Sequence, residues 1–436
     1  MLVQDFISRQ FGPSLPFAVF SRHRGAKPID GALREGDLPD MLKPDTFALT
    51  ALLALLTALG PLAVDIYLPS FPDIGRLLGA SPATVQLTLS LYMVSYAIGQ
   101  VIYGPLSDRY GRIPVLRAAL IIYCIASLAC ALAPNIELLL TARAVHALGS
   151  SGAIVRDLYS GARAGRELSL MGAIMSLAPV GAPMIGGVLQ SAFGWRSHFV
   201  LQMAFGLIAA FLVWRKLPET LKARTVGPFS LRAVFDGYRV ILRNRAVLAY
   251  VGMLSIGFAG VFAWISGSSF VLQEIYGLSA LWFGLAFAAA SGGYLIGTAL
   301  ATRIVTRIGI DRTIGVGTLA LALGGIGAVA AVPLGGMSAI PLVAAMALFA
   351  AGMGLTQPQT IAGAMMPFPE RAGTASSLVG VSQMVCAAAS GAIVGHLLGS
   401  SAWPVAVPLA LSGIATLLLW AASRGVRARE GGYGHH

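Results

Sequence analysis

The sequence predicts an all-α polytopic membrane protein, with twelve transmembrane helices in two six-helix halves and both termini cytoplasmic. Three observations carry that prediction. Of 436 residues, 56% are hydrophobic and 11% charged, where about a quarter charged is usual for a soluble domain; the mean hydropathy is +0.78. Nearly all the basic residues fall in alternate connections. A compact charged hairpin, Gly104-Pro105-Leu106-Ser107-Asp108-Arg109-Tyr110-Gly111-Arg112, separates two long apolar runs.

A helix needs about 20 apolar residues to cross a bilayer. Runs of that kind fall at 47–67, 84–105, 113–133, 138–158, 168–190, 198–216, 247–271, 281–302, 313–333, 340–361, 373–397 and 403–423. The longest polar interruption among them, Lys216 to Arg245, divides the twelve into six and six. The expected organisation is a disordered cytoplasmic segment 1–44, a first half 45–217, a cytoplasmic linker 218–245, a second half 246–423 and a cytoplasmic tail 424–436. The first 44 residues contain Pro13, Pro16, Pro28 and Pro39 and show no cleavable signal pattern. Met41, just before the first run, offers an alternative start.

The net charge of +12 raises nucleic acid as a partner, and its distribution argues against one. With the N-terminus inside, the cytoplasmic connections receive Arg109, Arg112, Arg117, Arg163, Arg166, the Lys216–Arg245 linker, Arg303, Arg307, Arg312, Arg371 and Arg424 to Arg429. The opposite side keeps Arg76 and Arg196. This is the positive-inside pattern, so the basic balance reports topology beside a lipid bilayer. Cys124, Cys130 and Cys386 all lie in apolar runs and read as small buried hydrophobes.

Each half echoes the other. Arg109-Tyr110-Gly111-Arg112 after the second run has a counterpart in Arg307-Ile308-Gly309 after the eighth, and Trp195 before the sixth has one in Trp403 before the twelfth. The echo is weak in identity and uneven in spacing. Like-oriented halves are the parallel repeat of many transporters, with a site between them near mid-membrane.

Several side chains stand out against the apolar background. Asp65 ends an uncharged stretch from Phe47; it is either a proton-linked carboxylate or a cap at a helix end, where the dipole disfavours it. Glu274 is a weaker candidate acid. Arg143 lies inside the fourth run, where burial costs about 3 kcal/mol; it either snorkels to the interface or faces a cavity and acts on a nearby carboxylate. His146 is either a neutral hydrogen-bonding residue or a second titrating group. Gly181, Pro183, Gly186 and Gly187 thin and bend the fifth helix, serving tight packing or a seal. Tyr92, Tyr96, Trp264, Gln357 and Gln359 suit a drug cavity, and equally suit packing. Asp108 and Arg109 form either a solvated pair worth under about 1 kcal/mol or a gate. No metal cluster, phosphate-binding loop or paired intramembrane carboxylates are found, so no catalytic residue, metal or enzyme activity is expected.

The hairpin is similar to the signature of the major facilitator superfamily: Gly, three residues, Asp-Arg, one residue, Gly-Arg. Leu62-Ala63-Val64-Asp65-Ile66-Tyr67-Leu68-Pro69-Ser70-Phe71-Pro72, Arg143-Ala144-Val145-His146-Ala147-Leu148-Gly149 and Leu177-Ala178-Pro179-Val180-Gly181-Ala182-Pro183-Met184-Ile185-Gly186-Gly187 resemble motifs of its twelve-helix drug:proton antiporters. Ala153-Ile154-Val155-Arg156-Asp157-Leu158-Tyr159 and Phe193-Gly194-Trp195-Arg196 look like the Bcr/CflA-type branch of bicyclomycin and chloramphenicol resistance.

The resemblance implies a major facilitator fold whose gating cluster is Gly104, Asp108, Arg109, Gly111 and Arg112. It implies proton coupling through Asp65, Arg143 and His146, with Arg143 tuning the acid. Helix 5 carries the antiporter motif, which is thought to seal the cavity against proton leak. Two departures stand out: His146 replaces the branch's usual glutamine, and about six residues are missing between Gly152 and Ala153. The expected function is proton-coupled efflux of small drugs across a bacterial inner membrane, with no cofactor beyond the proton gradient, by a monomer. A metabolite exporter and a non-transporting remnant or sensor are the alternatives.

Overall fold

A computed structural model describes residues 47–152, 162–217, 238–334, 338–368 and 372–430. Among them are twelve long helices: α1 (Phe47–Asp65), α2 (Pro82–Tyr110), α3 (Arg112–Ala131), α4 (Ile136–Gly152), α5 (Ala162–Phe193), α6 (Arg196–Lys216), α7 (Arg245–Phe270), α8 (Ala280–Ile308), α9 (Ile310–Leu334), α10 (Ile340–Met365), α11 (Ala372–Leu397) and α12 (Trp403–Ala422). A short helix, α13 (Arg424–Glu430), follows. Ten spans are long and apolar enough to cross a membrane, and Leu177–Phe193 within α5 is a shorter apolar stretch. The twelfth, α4, has 17 residues, about 25 Å of rise. The expected continuation of α4 to residue 158 lies outside the described residues, as do most of the linker and the N-terminal segment.

The first span does not end where the apolar run ends. After α1 the chain passes through a 3-10 turn, Leu68–Ser70, into a second short helix, Phe71–Leu78. Pro69 and Pro72 lie at the starts of these two pieces, where the missing N–H costs nothing but the preceding helix cannot continue unbroken. Gly79, at φ +62°, closes the short helix. The seventh span is also irregular in its last turn, α7 running into a π-helical turn over Val271–Ile275.

The sequence echo has a structural basis in α2 and α8. Both have 29 residues, both begin after a serine cap, and both end at a glycine with positive φ. Ser81 accepts from the Thr84 N–H and Ser279 from the Trp282 N–H. Gly111 (φ +99°) donates to the Ser107 carbonyl and Gly309 (φ +80°) to the Val305 carbonyl, both at 3.0 Å. An L side chain disfavours such a backbone. The tryptophan echo holds in position but not in environment, because Trp195 is 2% exposed and Trp403 is 43% exposed.

Packing repeats as well. In the first half α2 packs on α4, α3 on α4 and α6, and α1 on α5 and α6; six helices on, α8 packs on α10, α9 on α10 and α12, and α7 on α11 and α12. The halves meet mainly through α2 with α11 and α5 with α8, a pair of contacts that exchange under the same shift. Close approach at α8–α10 rests on small residues: a methyl group on Gly293 or Gly297 would meet the backbone carbonyls of Ala347 and Ala351.

Candidate functional site: a buried arginine beside the broken first span

Arg143, on the second turn of α4, is fully buried. Its Nη1 donates to the Ala63 carbonyl at 3.0 Å and lies 3.2 Å from His146 Nδ1. The guanidinium carbon sits 4.3 Å from the ring centroids of both Tyr67 and Tyr92, and 5.9 Å from that of Phe199. A desolvated cation over an aromatic face gains about 2 kcal/mol, so the two tyrosines together offset the cost of burial. Snorkelling is thereby excluded for this side chain. Its Nε and Nη2 have no hydrogen-bond partner.

The tyrosines are held by their own hydroxyls. Thr88 donates to the Val85 carbonyl at 2.6 Å, so its oxygen is left to accept from Tyr67 at 2.9 Å. Ser150 likewise donates to the Ala147 carbonyl, leaving Tyr92 as donor to Ser150 at 2.5 Å. The same reasoning fixes His146. Ser127 donates to the Tyr123 carbonyl at 2.7 Å, so His146 Nε2 donates to Ser127 at 3.0 Å. Nδ1 then carries the lone pair that accepts from Arg143. In this arrangement His146 is a neutral base bonded to a cation.

Asp65, the last residue of α1, is 4% exposed. Among the described residues it makes no ion pair with Arg143. The link between them runs through the backbone, since the carbonyl that Arg143 holds belongs to Ala63, two residues before the acid. Antiporter-motif residues on α5 touch the same stretch: a methyl on Gly186 would meet the Ile66 carbonyl, whereas on Gly187 it would come within 2.6 Å of the Ala280 carbonyl on α8. Gly181 faces open space. Pro183 lies inside the helix, its carbonyl against Gly284 of α8. Helix α5 therefore joins the broken first span to the other half.

The remaining candidates are dispersed. Tyr92 stacks on Tyr96 at 6.1 Å, and Tyr96 lies against Gly60 of α1. Trp264 is buried 6.3 Å from Phe287. Gln357 accepts from Tyr294 at 3.2 Å, and Gln359 is half-buried. Arg109 is exposed, 5.5 Å from the Tyr110 ring. Arg112 opens α3. Gly104 lies within α2, and the side chain of Asp108 lies outside the described residues. Glu274 lines a cavity of about 530 Å³ with Asp73, Arg76, Gln273 and Phe270. Among the described residues no three His, Cys, Asp or Glu side chains are placed to hold a metal.

Sequence reasoning missed a seal. Between the halves, Ser269 donates to the Leu68 carbonyl at 2.6 Å and Gln273 to the Pro69 carbonyl at 3.0 Å. Gln86 donates to Ser266 at 3.1 Å and Ser90 to the Ala388 carbonyl at 3.0 Å. All four lie at the end of the molecule where α1 finishes and α2 begins. The available signal was polar residues, Gln86, Ser266, Ser269 and Gln273, recurring inside apolar runs.

The family model described as Major Facilitator Superfamily matches residues 53–391. The Haemophilus influenzae bicyclomycin resistance protein homolog is 30% identical over 84% of this chain and 92% of its own length. The Escherichia coli multidrug resistance protein D is 29% identical over 85% of the chain and 94% of its own length. An uncharacterized MFS-type transporter of Bacillus subtilis, YdgK, is 38% identical over 58% of the chain and 66% of its own length. In structure, a bacterial homolog of the human lysosomal transporter Spinster, inward-facing and unoccupied, aligns with TM-score 0.65 at 16% identity, covering 89% of this chain and 98% of that one. With its twelve helices, its repeated packing and its matching relatives, the chain is a member of the Major Facilitator Superfamily.

Proposed function

We propose that this protein exports small drugs or toxic compounds across the bacterial inner membrane in exchange for protons, by alternating access. The observation that carries the proposal is that Asp65 lies on the first span, that Arg143 of α4 holds that span by its Ala63 carbonyl, and that the same span contributes to the seal between the halves. Arg143 grips the Ala63 carbonyl, Asp65 follows at the end of α1, and the carbonyls of Leu68 and Pro69 are bonded across to α7. A change of charge at Asp65 thus acts on the chain three residues from an inter-half bond. Relatives named for bicyclomycin and multidrug resistance support the drug cargo. The distribution of Lys and Arg supports cytoplasmic termini and, with them, a sealed end that faces outward.

In this mechanism the sealed arrangement admits substrate from the cytoplasm. Opening the outer end breaks the four inter-half bonds and exposes the region of Asp65 to the proton-rich side. Proton binding removes the buried negative charge and favours return, with the Gly104–Arg112 cluster as the opposing gate. Arg143 acts as a positioning residue, since it holds backbone and tyrosines and does not pair with the acid in this state. The protein works as a monomer and uses no cofactor.

The test is Asp65→Asn in everted membrane vesicles loaded by a respiratory proton gradient. Proton-driven chloramphenicol uptake is expected to fall to the background of vesicles lacking the protein, at equal expression. Undiminished uptake would remove Asp65 from the coupling.

A further inference from the structure

A second chain of polar side chains meets the broken first span from the opposite side. Ser70, the last residue of the 3-10 turn, is fully buried, and its hydroxyl lies 2.5 Å from His198 Nε2 on α6. The Ser70 hydroxyl also donates to Gln190 Oε1 on α5. Gln190 Nε2 donates to Asp73 Oδ2, and the exposed Arg76 pairs with the other oxygen of Asp73.

The carboxylate sets the direction of every bond in this chain. Asp73 accepts only, so Gln190 turns its amide nitrogen to it and its oxygen to Ser70. Ser70 has a single proton, which goes to that oxygen. The serine can therefore only accept from His198, which must carry its proton on Nε2. His198 Nδ1 is left as a bare lone pair, fully buried and without a partner. One helical turn on, both amide atoms of Gln202 are likewise buried and unpartnered.

We propose that Nδ1 of His198 is a proton-binding site tied to the seal, empty while the seal is closed and filled when it opens. A proton at Nδ1 would add a charge and a donor to a buried position that offers it no bonded acceptor, which is costly. The protonated imidazole therefore belongs with an arrangement in which the turn has moved. That turn is the seal, for the carbonyls of Leu68 and Pro69 just before Ser70 hold Ser269 and Gln273 of the other half. By linkage, a proton at Nδ1 favours the open seal, opposite in sign to the proton at Asp65, whose binding favours return. The proposal deepens the antiport reading and rests on it for the use made of the proton.

The elements packed on α6 carry other ionisable groups: α1 has Asp65, and α3 has Tyr123, Cys124 and Cys130. Tyr67 and Arg143 reach the Phe199 ring beside His198, Arg143 is bonded in turn to His146, and Asp73 and Arg76 are joined through Gln190 and Ser70. On α6 itself, Arg196 donates to the Ala133 carbonyl and stacks on Trp195. Arg163, Arg166 and Glu167 of α5 lie outside the described side chains. Among the described residues, hydrogen bonds connect His198 to Asp73 and Arg76 and to no other of these groups.

The experiment is hydrogen exchange by mass spectrometry on the full chain in lipid nanodiscs, without substrate or gradient, from about pH 8 to about pH 5.5. Exchange of amides 68–78, corrected for the intrinsic rate, is expected to rise at least about threefold as the pH falls. His198→Gln keeps a donor toward Ser70 and lacks the titrating nitrogen, so its exchange is expected to stay flat. Asp73→Asn lets Gln190 turn over and is expected to move the midpoint of the rise. Absence of the rise in the wild type, its persistence in His198→Gln, or an unmoved midpoint in Asp73→Asn would overturn the proposal. Unchanged exchange in α9 and α10 shows that each variant is folded. Because no substrate is present, failure here leaves the antiport reading standing, and failure of Asp65→Asn in vesicles leaves this site standing.

Discussion

In the N-terminal half, Asp65, Arg143, His146 and His198 are all buried; the C-terminal half, built on the same packing scheme, buries hydroxyls and amides. Its one buried charge among the described residues, Arg427, sits at the edge, on α13. There it donates to Asp311 from Nε at 2.9 Å and from Nη2 at 2.7 Å, and to the Trp420 carbonyl at 2.7 Å. Glu430 of the same short helix accepts from the N–H of Arg245 at 2.9 Å, so α13 ties together the ends of α7, α9 and α12. The repeat thus preserved the scaffold and let the chemistry diverge. One half buries ionisable groups inside the membrane; the other uses charge as a surface clamp and small residues as packing.

The contrast can be broken most severely at Arg143. Arg143→Ala leaves the Ala63 carbonyl, His146 and two tyrosine rings without their partner, and efflux is expected to fall by more than about tenfold. Arg143→Lys, a point charge without the planar fork, is expected to recover only a minor part of it. Vesicle uptake normalised to the amount of inserted protein makes the comparison.

Next come the glycines. Gly187→Val drives a side chain into the Ala280 carbonyl across the halves, whereas Gly293→Val does so within the second half. The first is expected to lower transport about tenfold with little loss of folded protein, because an open seal relieves the clash. The second is expected to lower the yield of folded protein itself, since α8 and α10 stay together. Size-exclusion recovery beside transport rate separates the two effects.

Arg427→Ala removes charge-assisted bonds to a partly exposed Asp311, a loss of about 1–3 kcal/mol. It is expected to lower Tm by a few degrees and leave the rate per folded molecule within about twofold. The smallest change is Tyr67→Phe, which keeps the ring over Arg143 and deletes the hydroxyl that donates to Thr88. About 0.5–1.5 kcal/mol of stability is at stake, and efflux is expected to stay within about threefold.

The helices and the repeat were legible because hydropathy, serine caps and the glycines at 111 and 309 are local signals. Asp65 and Arg143 were legible because an isolated charge in an apolar run is conspicuous. The aromatic partners of Arg143 were not, since Tyr67, Tyr92 and Phe199 come from three spans and nothing local pairs them. Nor was the 3-10 turn at Leu68–Ser70: Pro69 and Pro72 marked an end to the helix, while the apolar run hid its resumption. His198 and Gln190 passed unnoticed beside the surrounding motif residues, and their link through Ser70 exists only in the fold. Tyr92, which suits a cavity or packing by sequence alone, has its ring engaged with Arg143 and its hydroxyl with Ser150.

The central claim is that the buried charge of the N-terminal half is what couples proton to cargo. The direct measurement is proton release on adding chloramphenicol to purified protein in weakly buffered micelles, followed with a pH indicator. The account predicts release from the wild type and from Arg427→Ala, and none from Asp65→Asn. Release from Asp65→Asn equal to that of the wild type would contradict it.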